Sequence, residues 1–209
     1  MKAMATSTNN ATAPASLIHQ PPSFFERLDQ ARIFVRPQPL EVELGCGDST
    51  LLVELARRCP EHNFIGVERL LGRIRKLDRK GRRAGLTNLR GVRIECSYFM
   101  QYLLPAHSVS ALHIYFPDPW PKRRHQHHRL INDQFPALAY QVLEPGGTVY
   151  LRTDDADYFR QMNTVFGASP LFRPAKTPAE LATLTTDFEQ DFQAKGIQSQ
   201  RSAYQVVRS

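Results

Sequence analysis

Between Leu112 and Arg129 the chain reads LHIYFPDPWPKRRHQHHR, a stretch in which one carboxylate, Asp118, stands between two prolines with an indole, Trp120, close behind. A third proline follows, then Lys122, Arg123 and Arg124, three histidines and Arg129. Proline fixes φ and removes a backbone donor, so this loop is stiff where it leaves the apolar run before it. An acid and an aromatic face inside a basic rim suit a flat, nitrogen-rich ring joined to phosphates. His125, His127 and His128 lack the helical spacing and the neighbouring acid that would complete a metal site, so no metal is expected.

Other acids stand where apolar runs end. Glu43 precedes Gly45-Cys46-Gly47, and the two glycines let backbone approach a ligand where side chains would collide with it. Glu68 closes the next apolar run, 25 residues after Glu43, and an acid there can accept both hydroxyls of a ribose. A dinucleotide site would want a third glycine where this chain has Thr50, which argues against that class of cofactor. Asp154 and Asp155 follow a later run; Asp155 suits the cap of the helix beginning near Tyr158, which leaves Asp154 for a substrate.

Positioning these groups requires strands that end together. Apolar runs at 39–44, 62–68, 92–96, 111–116, 148–153 and 203–207 read as strands, and residues at helical spacing lie between them. Leu51, Leu52, Leu55 and Ala56 mark one helix; Leu70, Leu71, Ile74 and Leu77 mark another; a third over 130–142 is expected to kink at Pro136. Strands alternating with helices give an α/β domain with a mainly parallel sheet. Residues 1–22 are mostly small and polar and are expected to form a disordered tail, leaving 23–209 as one domain.

Charge and cysteine content narrow the class further. The balance is 27 − 20 = +7, and it is unevenly spread: from Arg69 to Arg93 ten Lys or Arg residues face one acid, Asp78. That block reads either as a footprint for a polyanion or as a solvated helix face, and a second basic block runs from Lys122 to Arg129. Cys46, Cys59 and Cys96 are odd in number and form no C-x-x-C pair, which argues for a reducing compartment without disulfides or zinc. No apolar run reaches membrane-spanning length and the N-terminus makes a poor signal peptide, so a cytoplasmic protein is expected.

Phe116-Pro117-Asp118-Pro119-Trp120-Pro121-Lys122-Arg123-Arg124-His125, with Arg129 beyond, resembles the FPDPW-x-K-x-RH segment of the tRNA (guanine-N7)-methyltransferases. Glu43, Gly45 and Gly47 with Glu68 are similar to the S-adenosylmethionine site of that class, Thr153-Asp154 to its T-D pair, and Thr186-Asp187-Phe188-Glu189 to its T-x-[FY]-E segment. The resemblance runs from about Pro39 to Val207. It implies a Rossmann-like class I methyltransferase fold: a mostly parallel seven-stranded sheet with an antiparallel last strand and helices on both faces. It also implies S-adenosylmethionine as cofactor, tRNA as partner, no obligatory protein partner, a monomer or homodimer, and methylation of N7 of the variable-loop guanine at position 46. By the same resemblance Asp118 is catalytic. Glu43, Gly45, Gly47, Glu68, Ser97 and Asp118 hold the cofactor; Lys122, Arg123, Arg124, Asp154, Thr186, Asp187, Phe188 and Glu189 hold the substrate. One departure stands out: the family pattern puts an acid or amide after the third strand, where this chain aligns Ser97 and Tyr98. Two other readings stay open. Asp118-Pro119-Trp120 resembles the D-P-P-[YFW] loop of other nucleic-acid N-methyltransferases but lacks its second proline, and the missing acid would fit an RNA-binding protein that kept the fold without catalysis.

Overall fold

A computed structural model describes residues 16–186, 189, 194 and 196–207. Strands β1 (Leu40–Leu44), β2 (Asn63–Glu68), β3 (Leu89–Arg93), β4 (Val109–Tyr115) and β5 (Leu143–Thr153) pair in parallel, and β7 (Gln200–Val206) runs antiparallel between β5 and β6 (Phe172–Ala175). The sheet order is β3-β2-β1-β4-β5-β7-β6. This is the Rossmann-like class I methyltransferase sheet that the resemblance implies. The chain builds outward from β1 to β3, then returns to lay β4 on the other side of β1. At that reversal neighbouring loops part, and a crevice opens at the carboxyl ends of the strands.

Helices cover both faces. On one side, α2 (Thr50–Arg58), α3 (Leu71–Arg83) and α7 (Ala179–Thr183) bury Leu51, Leu52, Leu55, Ile74, Leu77 and Leu181 in a core with Phe64, Leu89 and Tyr115. On the other, α1 (Gln30–Ile33), α4 (Cys96–Tyr98) with its π-helical continuation Phe99–Leu103, α5 (Phe135–Val142) and α6 (Ala156–Gly167) pack against Val42, Leu44, Leu112, Ile114, Val149 and Leu151. Strand alternation assigns those apolar residues to the second face, and places Glu41, Glu43, His113, Tyr115, Tyr150 and Arg152 on the first. Among the described residues no helix is long and apolar enough to cross a membrane.

Three expectations change. The third strand spans Leu89–Arg93 and ends before Glu95, whose carboxylate accepts the amides of Ser97 at 2.9 Å and Tyr98 at 2.7 Å and so caps α4. Pro136 kinks nothing: it lies in the first turn of α5, where a missing N–H leaves no helical bond broken. Residues 16–19 are held, although composition assigns residues through 22 to a loose tail. Leu17 is buried, its carbonyl accepts Gly91 N at 2.9 Å, His19 N donates to Gly91 O at 2.8 Å, and Asp78 accepts Leu17 N at 2.7 Å.

Candidate active site

Two adjoining hollows occupy the crevice. The first, 370 Å³, is lined by Glu43, the glycine loop through Leu51, the Tyr115–Pro119 segment, Asp154 and Thr186. The second, 290 Å³, is lined by Gly45, Glu68, Arg69, Leu70, Ile94, Glu95, Cys96, Trp120 and Leu130, among others. Gly45, Arg73, Tyr115, Phe116, Pro117 and Asp118 border both. Asp118 therefore stands on the partition between them.

The loop that carries Asp118 is held from both ends. Phe116 and Trp120 take left-handed backbone, φ 52° and 43°, a conformation that costs about 1–3 kcal/mol each and persists only where surroundings enforce it. Phe116 N donates to Arg152 O at 2.8 Å, fixing the loop to β5. At the other end Arg129, 2% exposed, donates through Nε to Pro119 O at 2.7 Å, while its remaining nitrogens reach Gln161 Oε1 at 2.6 Å and Asp157 Oδ2 at 2.9 Å. Its guanidinium also lies 4.7 Å from the centre of the Tyr158 ring. Arg129 thus braces the loop from inside, although its place in a basic run reads as a surface cation. Lys122, Arg123 and Arg124 are exposed and line neither hollow; the 3₁₀ turn Arg123–His128 meets the second hollow at His128, which lies 5.0 Å, ring to ring, from Trp120.

Beneath the loop the sheet carries a buried polar chain. His113 Nε2 lies 2.6 Å from Glu41 Oε2 and His113 Nδ1 lies 2.7 Å from the Tyr115 hydroxyl, while His62 Nδ1 contacts the other Glu41 oxygen. With Nε2 donating to the carboxylate, Nδ1 accepts from Tyr115 and fixes the ring that borders both hollows. Burial raises the Glu41 pKa, but hydrogen bonds to His113 and His62 outweigh it and hold the carboxyl below its ordinary range. No motif marks this chain in the sequence, where it shows only as polar residues at alternate positions inside otherwise apolar central strands.

Glu43 is the exception to such pairing. It is buried, and its Oε2 has no hydrogen-bond partner among the described residues. Burial pushes its carboxyl up to about 8, with the positive charge of Arg152 pulling the other way. Gly45 and Gly47 beside it adopt φ of 77° and 50°, which suits glycine. On the far side Glu68 accepts Leu70 N at 2.8 Å and faces Arg73 at 3.4 Å. Glu95, two residues past the end of β3, also lines the second hollow; Ser97, the expected position, lies beyond the lining residue Cys96, with its amide turned to Glu95.

The remaining expected residues divide. Asp155 caps α6 by accepting Tyr158 N at 2.7 Å, and Asp154 lines the first hollow. Thr186 lines it too, but Glu189, expected to hold substrate, points inward: Arg152 Nη1 donates to its Oε2 and Arg201 Nη2 to its Oε1, each at 2.8 Å. Thr186 N donates to Glu189 Oε2 at 3.0 Å and Glu189 N to Thr186 Oγ1 at 3.1 Å, a reciprocal capping arrangement. Glu189 anchors its segment to the sheet and leaves Thr186 at the hollow. Asp187 and Phe188 lie outside the described residues.

The family model Methyltransf_4, described as "Putative methyltransferase", matches residues 37–202. The tRNA (guanine-N(7)-)-methyltransferase of Nitrosomonas eutropha is 36% identical over 174 residues, covering 78% of this chain and 74% of that protein. The protein of the same name from Syntrophotalea carbinolica is 37% identical over 130 residues, covering 62% of this chain and 56% of its own length. The chain spans about half the length of several relatives that it matches. In fold it is similar to the crystal structure of the 16S rRNA methyltransferase KamB, with a TM-score of 0.60 at 15% identity over 87% of this chain and 95% of that one. Sequence match and fold agree, and the chain belongs to the tRNA (guanine-N(7)-)-methyltransferase family.

Proposed function

We propose that this chain transfers the methyl group of S-adenosylmethionine to N7 of a guanine in tRNA, the variable-loop guanine at position 46. The observation that carries this reading is Asp118, a carboxylate on a braced loop that borders both hollows at once. One hollow can hold the nucleoside of the cofactor while the other receives a base, with the acid between them.

The residues present fit the cofactor. Glu43, with an unpartnered buried oxygen, suits the ammonium of its amino-acid part, and Gly45 and Gly47 admit its close approach. Glu68 suits the ribose hydroxyls, and Glu95 supplies the acid after the third strand that the family pattern asks for at the adenine. An acid at that place supports a cofactor-binding, catalytic reading. When bound, the cofactor supplies an electrophilic methyl group on a sulfonium.

N7 of guanine carries an in-plane lone pair that is free at neutral pH, so the chain needs no general base. Its residues position and stabilise. Asp118 accepts the guanine N1–H and N2–H donors, as a carboxylate with two oxygens can, and holds the ring in register. The ring gains positive charge as N7 is methylated, and the same carboxylate favours that charge over the neutral ground state. Orienting two bound partners accounts for roughly 7 kcal/mol or more of barrier reduction. Asp154 and Thr186 close the base-binding side, and Lys122, Arg123 and Arg124 take phosphates beyond it.

The test is to incubate the protein with an unmodified tRNA transcript and methyl-labelled cofactor and to map the label. Label at N7 of one variable-loop guanine is expected. Label on an exocyclic nitrogen, or none, overturns the proposal.

A further inference from the structure

We propose that the outward arginine stripe of α3, Arg75, Arg79 and Arg83, is a second docking surface for the substrate's sugar-phosphate backbone, reaching RNA well away from the target base. The proposal rests on the tRNA reading above.

The cations of α3 fall into two sets. Arg73 faces Glu68 at 3.4 Å, Lys76 holds both Asp48 oxygens at 3.0 Å, Lys80 donates to the Asp48 carbonyl at 2.8 Å, and Arg82 faces Asp78 at 3.4 Å. These four are engaged by partners of the fold, two of them in steadying the glycine loop. Arg75, Arg79 and Arg83 are exposed, and among the described residues none of them forms an ion pair. Placed four residues apart, they lie on one face, about 6 Å of rise from each to the next. Like charges at that spacing oppose helix formation, so the fold itself does not account for them.

The second hollow is walled both by Arg69, Leu70 and Arg73, where α3 begins, and by Trp120 and His128 of the loop after β4. The start of α3 and the end of the basic loop therefore meet at one opening, and the stripe runs on from there along α3, itself outside the hollow. From it α3 runs about 20 Å, the rise of its thirteen residues. Its last arginine, Arg83, reaches the lip of a separate 460 Å³ hollow shared with Arg58, Lys80, Thr50 and Thr183. A single nucleotide in the active site cannot extend that far, whereas a folded RNA can. Row spacing, charge and direction match a polyanion leaving the crevice along the helix.

The experiment compares the parent protein with Arg75→Ala/Arg79→Ala/Arg83→Ala and with the corresponding triple lysine variant. Affinity for full-length tRNA is measured across a salt series, alongside S-adenosylmethionine binding by calorimetry and methyl transfer to a short hairpin carrying the target guanine. The alanine variant is expected to bind tRNA at least about tenfold more weakly at 0.1 M salt, with the slope of log K against log salt reduced by about 2, since each phosphate contact contributes about 0.7–0.9. Cofactor binding and the hairpin rate should stay at parent values, and the lysine variant should keep most of the slope. The docking proposal is overturned by an alanine variant with parent tRNA affinity and slope, by a lysine variant as weak as the alanine one, or by a variant that loses only binding to anionic phospholipid vesicles. A parent protein that binds tRNA but leaves N7 unmethylated refutes the catalytic reading instead, and is distinguished by the label map.

Discussion

Glu43 and Glu189 are both shut away from solvent and both lie in the field of Arg152, yet they end in opposite states. For Glu189 burial raises the pKa, but the Thr186 amide and the charges of Arg152 and Arg201 outweigh it and hold the carboxyl below its ordinary range. For Glu43 burial prevails and the carboxyl rises to about 8, with one oxygen unpartnered. Hydrogen bonds set the two apart: Arg152 donates to Glu189 Oε2 and to the carbonyls of Leu181 and Leu184, so Glu43 feels only its charge. A buried acid with every oxygen filled is a brace. A buried acid left short, at the edge of a hollow, is where a cationic ligand belongs.

Removing the satisfied partner should have the largest effect. Glu189→Ala leaves the Arg152 guanidinium buried without its counter-charge, and stability should fall by about 3–5 kcal/mol. Chemical denaturation reads this directly, and an unchanged midpoint would show that the pair is not a brace.

Next comes the acid that is left short, where the sign is set by pH. The folded pKa of about 8 lies above the ordinary 4.5, so below pH 4.5 the group is neutral in folded and unfolded chains alike and makes no difference. Between pH 4.5 and 8 the unfolded chain ionises while the folded one resists, and stability is lost as pH rises, in total on the order of a few kcal/mol. Glu43→Gln should therefore gain on the parent protein progressively toward pH 8. Thermal melts at pH 5, 6.5 and 8 with a constant gap between the two proteins would contradict this.

The smallest effect is expected at the exposed rim. Arg123→Ala with Arg124→Ala should weaken tRNA binding several-fold and lower the salt slope by about 1–2, with folding unchanged. A filter-binding salt series checks it, and a parent slope would show that these two arginines do not meet phosphate.

The same contrast explains what the sequence discloses. Strand, glycine turn and acid at 40–47, the central strand running into Asp118, and the cap by Asp155 with Asp154 left at the hollow are local patterns, and they are legible as such. Roles decided by distant partners are not. Arg129 becomes a brace because Pro119, Asp157 and Gln161 converge on it, and Glu189 because Arg152 and Arg201 do; within the chain each reads as one more charge. The third strand misleads for another reason. Ile94 and Cys96 continue the apolar run past Arg93, and that hides Glu95 as a strand residue when it is a cap at the mouth of the second hollow. Leu17 escapes notice because a short apolar pair in a polar segment carries no period, although Gly91 and Asp78 hold it.

The central claim is that Asp118 clamps the purine edge and offsets the charge formed on it. Single-turnover methyl transfer to tRNA by Asp118→Asn, with cofactor affinity measured on the same sample, tests it most directly. A rate reduced by about 10²-fold or more, with cofactor binding within twofold of the parent, is the expected result. A variant that transfers methyl groups at the parent rate would contradict the account.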